Sequence, residues 1–291
     1  MNILIYGGYG WIGSQFIKEL KLKNINFHIS SLKVTLDNKD IILEEINKKS
    51  PTNVISFIGR THGIINDTYY GTIDYLEQDG KLCENLSDNL IGPDLLASIC
   101  EEKNIHFTYL GTGCIFTYKQ DDISYKFTEE DDANFFGSSY SIVKGITDKI
   151  FKTKYKNCLN LRIRMPITDD YNHRNFITKI TSYKKICSIP NSMSVLPELL
   201  PLIIKLMKIR YTGTLNFTNP GIISHNEILY MYKEYIDPKF VWENFTIEEQ
   251  NKILDSERSN NHLDTTKLEN LFPEILNIKD SIKNILQNYE K

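Results

Sequence analysis

Short apolar runs bounded by turn residues alternate with amphipathic stretches through the first 165 residues. Asn2–Tyr6, 26–30, 53–58, 106–110 and Cys158–Ile163 read as strands buried on both faces, as in parallel sheets. Between them, Trp11–Leu22, 40–49, 79–102 and 137–152 carry helical periodicity. Repeated strand–helix units predict an α/β fold with a doubly wound parallel sheet. Ligands of such sheets sit beyond the carboxyl ends of the strands. Gly7, Gly59, Gly111 and Gly113 fall at those ends. From Pro166 the alternation weakens: 176–183, 196–209 and 226–235 read as helices and 213–218 as a strand. The expected division is a cofactor domain over 1–165 and a smaller lobe, mainly for substrate, over 166–291. No flexible linker separates them, and no internal repeat is visible.

Composition narrows the function. A net charge of −3 gives no reason to expect affinity for nucleic acid. No apolar run reaches membrane-spanning length, and the start lacks the basic and apolar parts of a signal peptide. The expectation is a cytoplasmic protein without a membrane partner. Cys83, Cys100, Cys114, Cys158 and Cys187 form no C-x-x-C pair and lie near no histidine at metal-ligand spacing, so reduced thiols and no metal are expected. The sequons at Asn66, Asn85, Asn216 and Asn244 are therefore read as accidental. Oligomeric state is open, a homodimer included.

Two motifs carry chemistry. After the first strand comes Gly7-Gly8-Tyr9-Gly10-Trp11-Ile12-Gly13. Glycines let backbone approach a pyrophosphate, and the following helix N-terminus favours negative charge. Gly7, Gly10, Trp11, Ile12 and Gly13, with Gly59, are the expected cofactor contacts. The second motif is Tyr140-Ser-Ile-Val-Lys144. A Tyr four residues before a Lys places phenol and ammonium on one helix face. Tyr140 is the expected proton donor to a carbonyl oxygen, and Lys144 the residue that holds the nicotinamide ribose and lowers the phenol pKa. Thr112, at the end of the preceding strand, completes the set, and together the motifs point to a short-chain dehydrogenase/reductase. The second strand ends without an acid to bind a ribose 2′-hydroxyl. Ser30, Ser31 and Lys33 suit a 2′-phosphate instead, so NADPH is expected over NADH. Cys114, two residues past Thr112, would face the same carbonyl if the chain stays extended. A thiol there can move a proton at the neighbouring carbon, with the enolate oxygen held by Thr112 and Tyr140.

With these residues the chain resembles, along nearly its whole length, the bifunctional nucleotide-4-keto-6-deoxyglucose 3,5-epimerase/4-reductase family of UDP-L-rhamnose synthesis, found in plants and some large viruses. The matching runs include Gly111-Thr-Gly-Cys-Ile-Phe116, Asn134-Phe-Phe-Gly137, Leu161-Arg-Ile-Arg-Met-Pro-Ile167 and Arg174-Asn-Phe-Ile-Thr-Lys-Ile180. Ile189-Pro-Asn-Ser-Met193, Asn216-Phe-Thr-Asn-Pro-Gly221, Ser224-His-Asn-Glu-Ile228 and Arg258-Ser-Asn-Asn261 continue it. Abundant Lys, Ile and Asn suit a giant virus of the mimivirus type, hence a host cytoplasm, better than a plant. The resemblance implies Lys179 as a second epimerisation residue opposite Cys114, and Asn191, Arg258 and Asn260 as candidates for the diphosphate of a UDP-sugar. It implies 3,5-epimerisation of UDP-4-keto-6-deoxy-D-glucose, then NADPH-dependent 4-keto reduction. A 4-keto-sugar reductase alone and a non-catalytic NADP-binding regulatory subunit are the alternatives. The family's glycine turn usually carries Arg or Lys-Thr where this chain has Tyr9.

Overall fold

The computed structural model describes residues 1–119 and 122–289. Its central sheet has six strands: β1 (Asn2–Tyr6), β2 (Asn26–Ile29), β3 (Asn53–Ser56), β4 (His106–Thr112), β5 (Cys158–Ile163) and β6 (Gly213–Asn216). They lie in the order β2-β1-β3-β4-β5-β6 and pair in parallel throughout. The order reverses between β1 and β3, so a crevice opens there at the carboxyl ends of the strands. The helices are α1 (Trp11–Leu22), α2 (Lys39–Lys49), α3 (Leu82–Leu86), α4 (Gly92–Glu102), α5 (Ser139–Lys154), α6 (Phe176–Ser182), α7 (Leu196–Lys208), α8 (His225–Tyr235), α9 (Ile247–Asn251), α10 (Thr266–Leu271) and α11 (Ile278–Gln287).

The sheet is central because its strands are apolar on both sides. Ile3 and Ile5 pack with Phe16 and Leu20 of α1 and Leu199, Ile203 and Leu206 of α7. Leu4, Tyr6 and Val54 face the other way, with Ile42 and Ile46 of α2, Leu96 and Ile99 of α4 and Phe151 of α5. Each such side chain contributes about 1.5–3 kcal/mol on full burial. Arg162 of β5, fully buried, is neutralised by Asp148 of α5 at 2.7 Å, which ties that helix to the sheet. A second core joins Ile177 and Ile180 of α6, Ile228 and Leu229 of α8, and Ile278, Ile282 and Ile285 of α11. The chain beyond residue 165 therefore feeds both bodies. α7 and β6 complete the central sheet, while α6, α8 and α11 build the second lobe.

Two local features differ from the periodicity. The stretch expected as one helix over 79–102 is α3, a wide π turn at Ser87–Ile91, and α4. Thr147 of α5 donates its hydroxyl to the Asn89 carbonyl at 2.7 Å, while the Asn89 side chain donates to Arg60 O. Polar partners thus draw one turn out of α-helical register. Between β3 and α3, Gly63–Ile65 and Thr68–Tyr70 form an antiparallel hairpin. Its turn residues Asn66 and Asp67 have φ of 47° and 61°, values that Asn and Asp tolerate best after glycine.

Candidate active site

A cleft of ≈ 1100 Å³ runs from the glycine turn, past the ends of β3, β4 and β5, to α6 and α8. Gly7 sits at φ +73°, and a Cβ on it would meet the Phe57 carbonyl carbon at 2.9 Å. A Cβ on Gly13 would meet Gly7 O at 2.5 Å, so only glycine lets α1 start this close to β1. Gly10, in extended backbone, caps α1 with no side-chain hydrogen bond. The first-turn amides of Trp11, Ile12 and Gly13 are thus left for an anion, and all three residues line the cleft with Gly7, Gly10 and Gly59. This cradle fits a dinucleotide pyrophosphate.

The outer end is built differently from the expectation. The Ser30 hydroxyl is buried and donates to Glu45 of α2 at 2.8 Å, as does Tyr6. Ser30 is therefore spent on packing α2 against β1 and β2. Ser31 and Lys33 are exposed at the sheet edge, outside the cleft lining.

At the centre, β4 ends at Thr112 and the chain turns: the Cys114 amide donates to Thr112 Oγ1 at 3.1 Å. The strand does not stay extended, yet Thr112 and Cys114 both line the cleft with Tyr140 and Lys144. α5 delivers that pair because Ser138 caps its first turn, accepting from the Ser141 amide. Ser141 in turn donates to Cys114 O at 2.7 Å and holds the cysteine loop against α5. Burial and the nearby Cys114 raise the Tyr140 pKa, and its hydrogen bond with Thr112 opposes them. The Lys144 ammonium donates to Tyr109 of β4, and the groups that shift Tyr140 are Cys114 and Thr112 rather than Lys144. Burial brings Lys144 itself down to about 7, with Asp148 and Cys114 working the other way.

Lys179 of α6 lines the same cleft and donates to Gly71 O at 3.2 Å, just past the hairpin. Burial lowers it to about 8, helped by Arg174 and Arg258. Arg258 also lines the cleft, bound by Asp74 through both oxygens. Burial works against the Asp74 charge, but Arg258, Thr72 and Ser256 hold its carboxyl below the usual range. Asn260 reaches the cleft, its Oδ1 accepting from Asn191 Nδ2 at 2.8 Å. Asn191 itself lies fully buried outside the lining. Its side chain also accepts from Arg164 at 2.6 Å and the Asn261 amide at 3.0 Å and donates to Ile189 O at 3.2 Å, so here it braces the wall from behind. Arg164 is equally buried, donating to Gly113 O, Ser259 and Asn191. Among the described residues no cluster of His, Cys, Asp and Glu could hold a metal, and no helix is long and apolar enough to cross a membrane.

Sequence reasoning missed His62, Asp74 and Arg174, all in the cleft wall. Arg174 sits inside a quoted run but has no spacing signature. His62 and Asp74 flank the hairpin, and Gly63-Ile-Ile-Asn-Asp-Thr-Tyr-Tyr70 was the signal that could have revealed it.

Residues 1–185 match the RmlD substrate binding domain. The L780 UDP-rhamnose synthase of Acanthamoeba polyphaga mimivirus superposes with a TM-score of 0.94 at 48% identity, covering 99% of each chain. An Arabidopsis thaliana bifunctional dTDP-4-dehydrorhamnose 3,5-epimerase/dTDP-4-dehydrorhamnose reductase is 44% identical, over 97% of this chain and 91% of that protein. The dTDP-4-dehydrorhamnose reductase of Bacillus anthracis, solved with NADP, shares the fold at TM-score 0.80 and 17% identity, with 98% of each chain covered. On the family match and the long alignments, this chain belongs to the RmlD substrate binding domain family, among the enzymes of the rhamnose synthase and dTDP-4-dehydrorhamnose reductase group.

Proposed function

We propose that the protein converts UDP-4-keto-6-deoxy-D-glucose to UDP-L-rhamnose, by 3,5-epimerisation followed by NADPH-dependent reduction at carbon 4. The observation that carries this reading is one cleft lined by both sets of groups: Thr112, Tyr140 and Lys144 beside Cys114, with Lys179 brought in from α6. The names of the mimivirus and Arabidopsis relatives support the substrate and the paired activities. The NADP bound to the B. anthracis enzyme and the glycine cradle support the cofactor.

Carbons 3 and 5 flank the carbonyl, so their protons are acidified. One of Cys114 and Lys179 takes a proton from one face, and its electron pair passes into the enolate. The other returns a proton from the opposite face, inverting the centre. Thr112 and Tyr140 hold the enolate oxygen by hydrogen bonds. NADPH, when bound, supplies the hydride for carbon 4. Tyr140 then gives its proton to the carbonyl oxygen, and Lys144 orients the ribose. Arg258 and Asn260 are the proposed cationic and amide contacts of the diphosphate. The cofactor-binding role belongs chiefly to 1–165 and the sugar-nucleotide role to 166–291.

The test separates the two steps. In heavy water without NADPH, the wild type is expected to place deuterium at carbons 3 and 5. Cys114→Ala and Lys179→Ala should suppress exchange at one or both. If both variants exchange like wild type, the chain is a reductase only.

A further inference from the structure

The cations of the cleft are not alike. Arg258 is matched by Asp74. Arg174 has no carboxylate within ion-pair distance among the described residues. It is half-buried, and its hydrogen-bond partner is His62, whose Nε2 lies 2.7 Å from Arg174 Nη1. A guanidinium only donates, so His62 must accept there and is held as the neutral ring. His62 is fixed in place by its own surroundings, in edge contact with Tyr69 of the hairpin at 6.0 Å between centroids. Arg174 and Lys179 flank the start and middle of α6, and both reach across to the feet of the hairpin: Arg174 to His62 before it, Lys179 to Gly71 after it. The hairpin is thus pinned to α6 by two cations, and among the described residues neither has a carboxylate within ion-pair distance. Two unmatched positive charges in a half-buried wall raise each other's energy. Arg174 stays charged at any accessible pH, so relief comes only if Lys179 gives up its proton.

We propose that Arg174 is a positioning residue for Lys179: seated on neutral His62, its un-neutralised guanidinium adds to burial in making the Lys179 side chain the base of the epimerisation. This inference rests on the proposed function. The groups facing Lys179 are Arg174 on its own segment, Arg258 with Asp74 across the cleft, and His62 on the hairpin foot, with Arg60 and His173 behind it. Of these, Arg174 is the cation that no carboxylate offsets and that a neutral partner holds in place. Electrostatics agree: burial lowers His62 to about 4, with Arg174, Arg60 and Lys179 adding to it. At pH 7.5 an ordinary lysine is free amine in roughly one molecule in a thousand, whereas a pKa of about 8 raises this to about a quarter.

The experiment reads Lys179 directly and then its work. Trace acetylation with acetic anhydride across pH 6–11, followed by mass spectrometry of the Lys179 peptide, gives the midpoint at which the amine becomes reactive, without substrate. The same variants are then assayed for deuterium exchange into the keto sugar at saturating substrate across the same range. Arg174→Gln is expected to move both midpoints to higher pH, lowering exchange at pH 7.5 about tenfold per unit of movement and restoring it at high pH. Arg174→Lys, which keeps the charge, should leave the midpoints near those of wild type. If Arg174→Gln fails to fold, His62→Leu carries the test, since it removes the seat of the guanidinium, and a raised midpoint is again expected. An unchanged acetylation midpoint in the folded variant overturns the proposal, even if exchange is uniformly weaker. Absence of exchange in wild type would instead strike the proposed function, while the acetylation midpoints still decide the role of Arg174.

Discussion

At the scale of residues, the proposed reductase centre makes sharp demands. Tyr140 is buried and hydrogen-bonded to Thr112, and burial keeps its proton on at neutral pH. Tyr140→Phe is expected to bind NADPH nearly normally and to lower turnover about 10²-fold or more, as for loss of a proton donor. Near-normal NADPH oxidation by that variant would remove the role assigned to it. The hydroxyl of Ser30 belongs to Glu45, so Ser31 and Lys33 remain as the proposed contacts of a 2′-phosphate. Lys33→Ala should lower kcat/KM with NADPH roughly tenfold, the order of one charge-assisted hydrogen bond, and leave that with NADH little changed. Equal losses with both cofactors would make Lys33 a surface charge. Tyr140 and Thr112 could be singled out from sequence because their types and spacing suit the chemistry, and the structure places both in the cleft. The commitment of Ser30, just past the end of β2, was not legible there, since Glu45 lies fifteen positions away on α2.

At the scale of elements, the strand–turn–helix from β1 to α1 is the part most tightly bound to its sequence. Gly13 has Gly7 O where its Cβ would be. Gly13→Ala is therefore expected to cost about 1–3 kcal/mol as an overpacked contact and to weaken NADPH binding, by displacing the first turn of α1. Thermal unfolding and a fluorescence titration of the cofactor check both effects; a variant as stable and as tight as wild type would show that the turn adapts. Apolar runs located the strands of the central sheet, which are buried on both faces, and helical periodicity located most helices, each apolar toward one layer. It ran through the π turn at Ser87–Ile91 because the cause, a hydroxyl from α5, is long-range. It overlooked α11, although Asn277 as cap and Ile278, Ile282, Ile285 and Leu286 at helical spacing mark it plainly.

At the scale of the whole molecule, burial of groups that would rather be charged makes stability depend on pH. His62 and His225 are drawn down to about 4, chiefly by burial. Lys144 and Lys179 are drawn down to about 7 and about 8 for the same reason. A depressed folded-state pKa means that the unfolded chain binds more protons in the interval, so stability rises with pH there. The lysines act from their ordinary value near 10.4 down to about 7 and 8, and the histidines from about 6.5 down to 4. The urea midpoint is thus expected to fall steadily from pH 9 to pH 4. A His62→Gln, His225→Gln variant should lose less between pH 6.5 and 4. A midpoint falling just as steeply in that variant would assign the acid sensitivity to other groups.

The sequence by itself determined the parallel sheet, the glycine turn into α1 and the grouping of Thr112, Tyr140 and Lys144. Each is a local pattern: apolar runs that must be buried, glycines that leave no room for a Cβ, and a helical spacing of four. Folding decided what depends on distant partners. It turned β4 after Thr112 so that a backbone bond, not extension, sets Cys114 beside it. It placed Asn191 behind the wall and Arg258 against Asp74, 184 residues away. It brought Lys179, which spacing alone would leave as a surface lysine, beside Arg174 and under the hairpin. Charges separated by a hundred residues interact only once the chain has folded, so the electrostatics of this cleft belong to the tertiary structure.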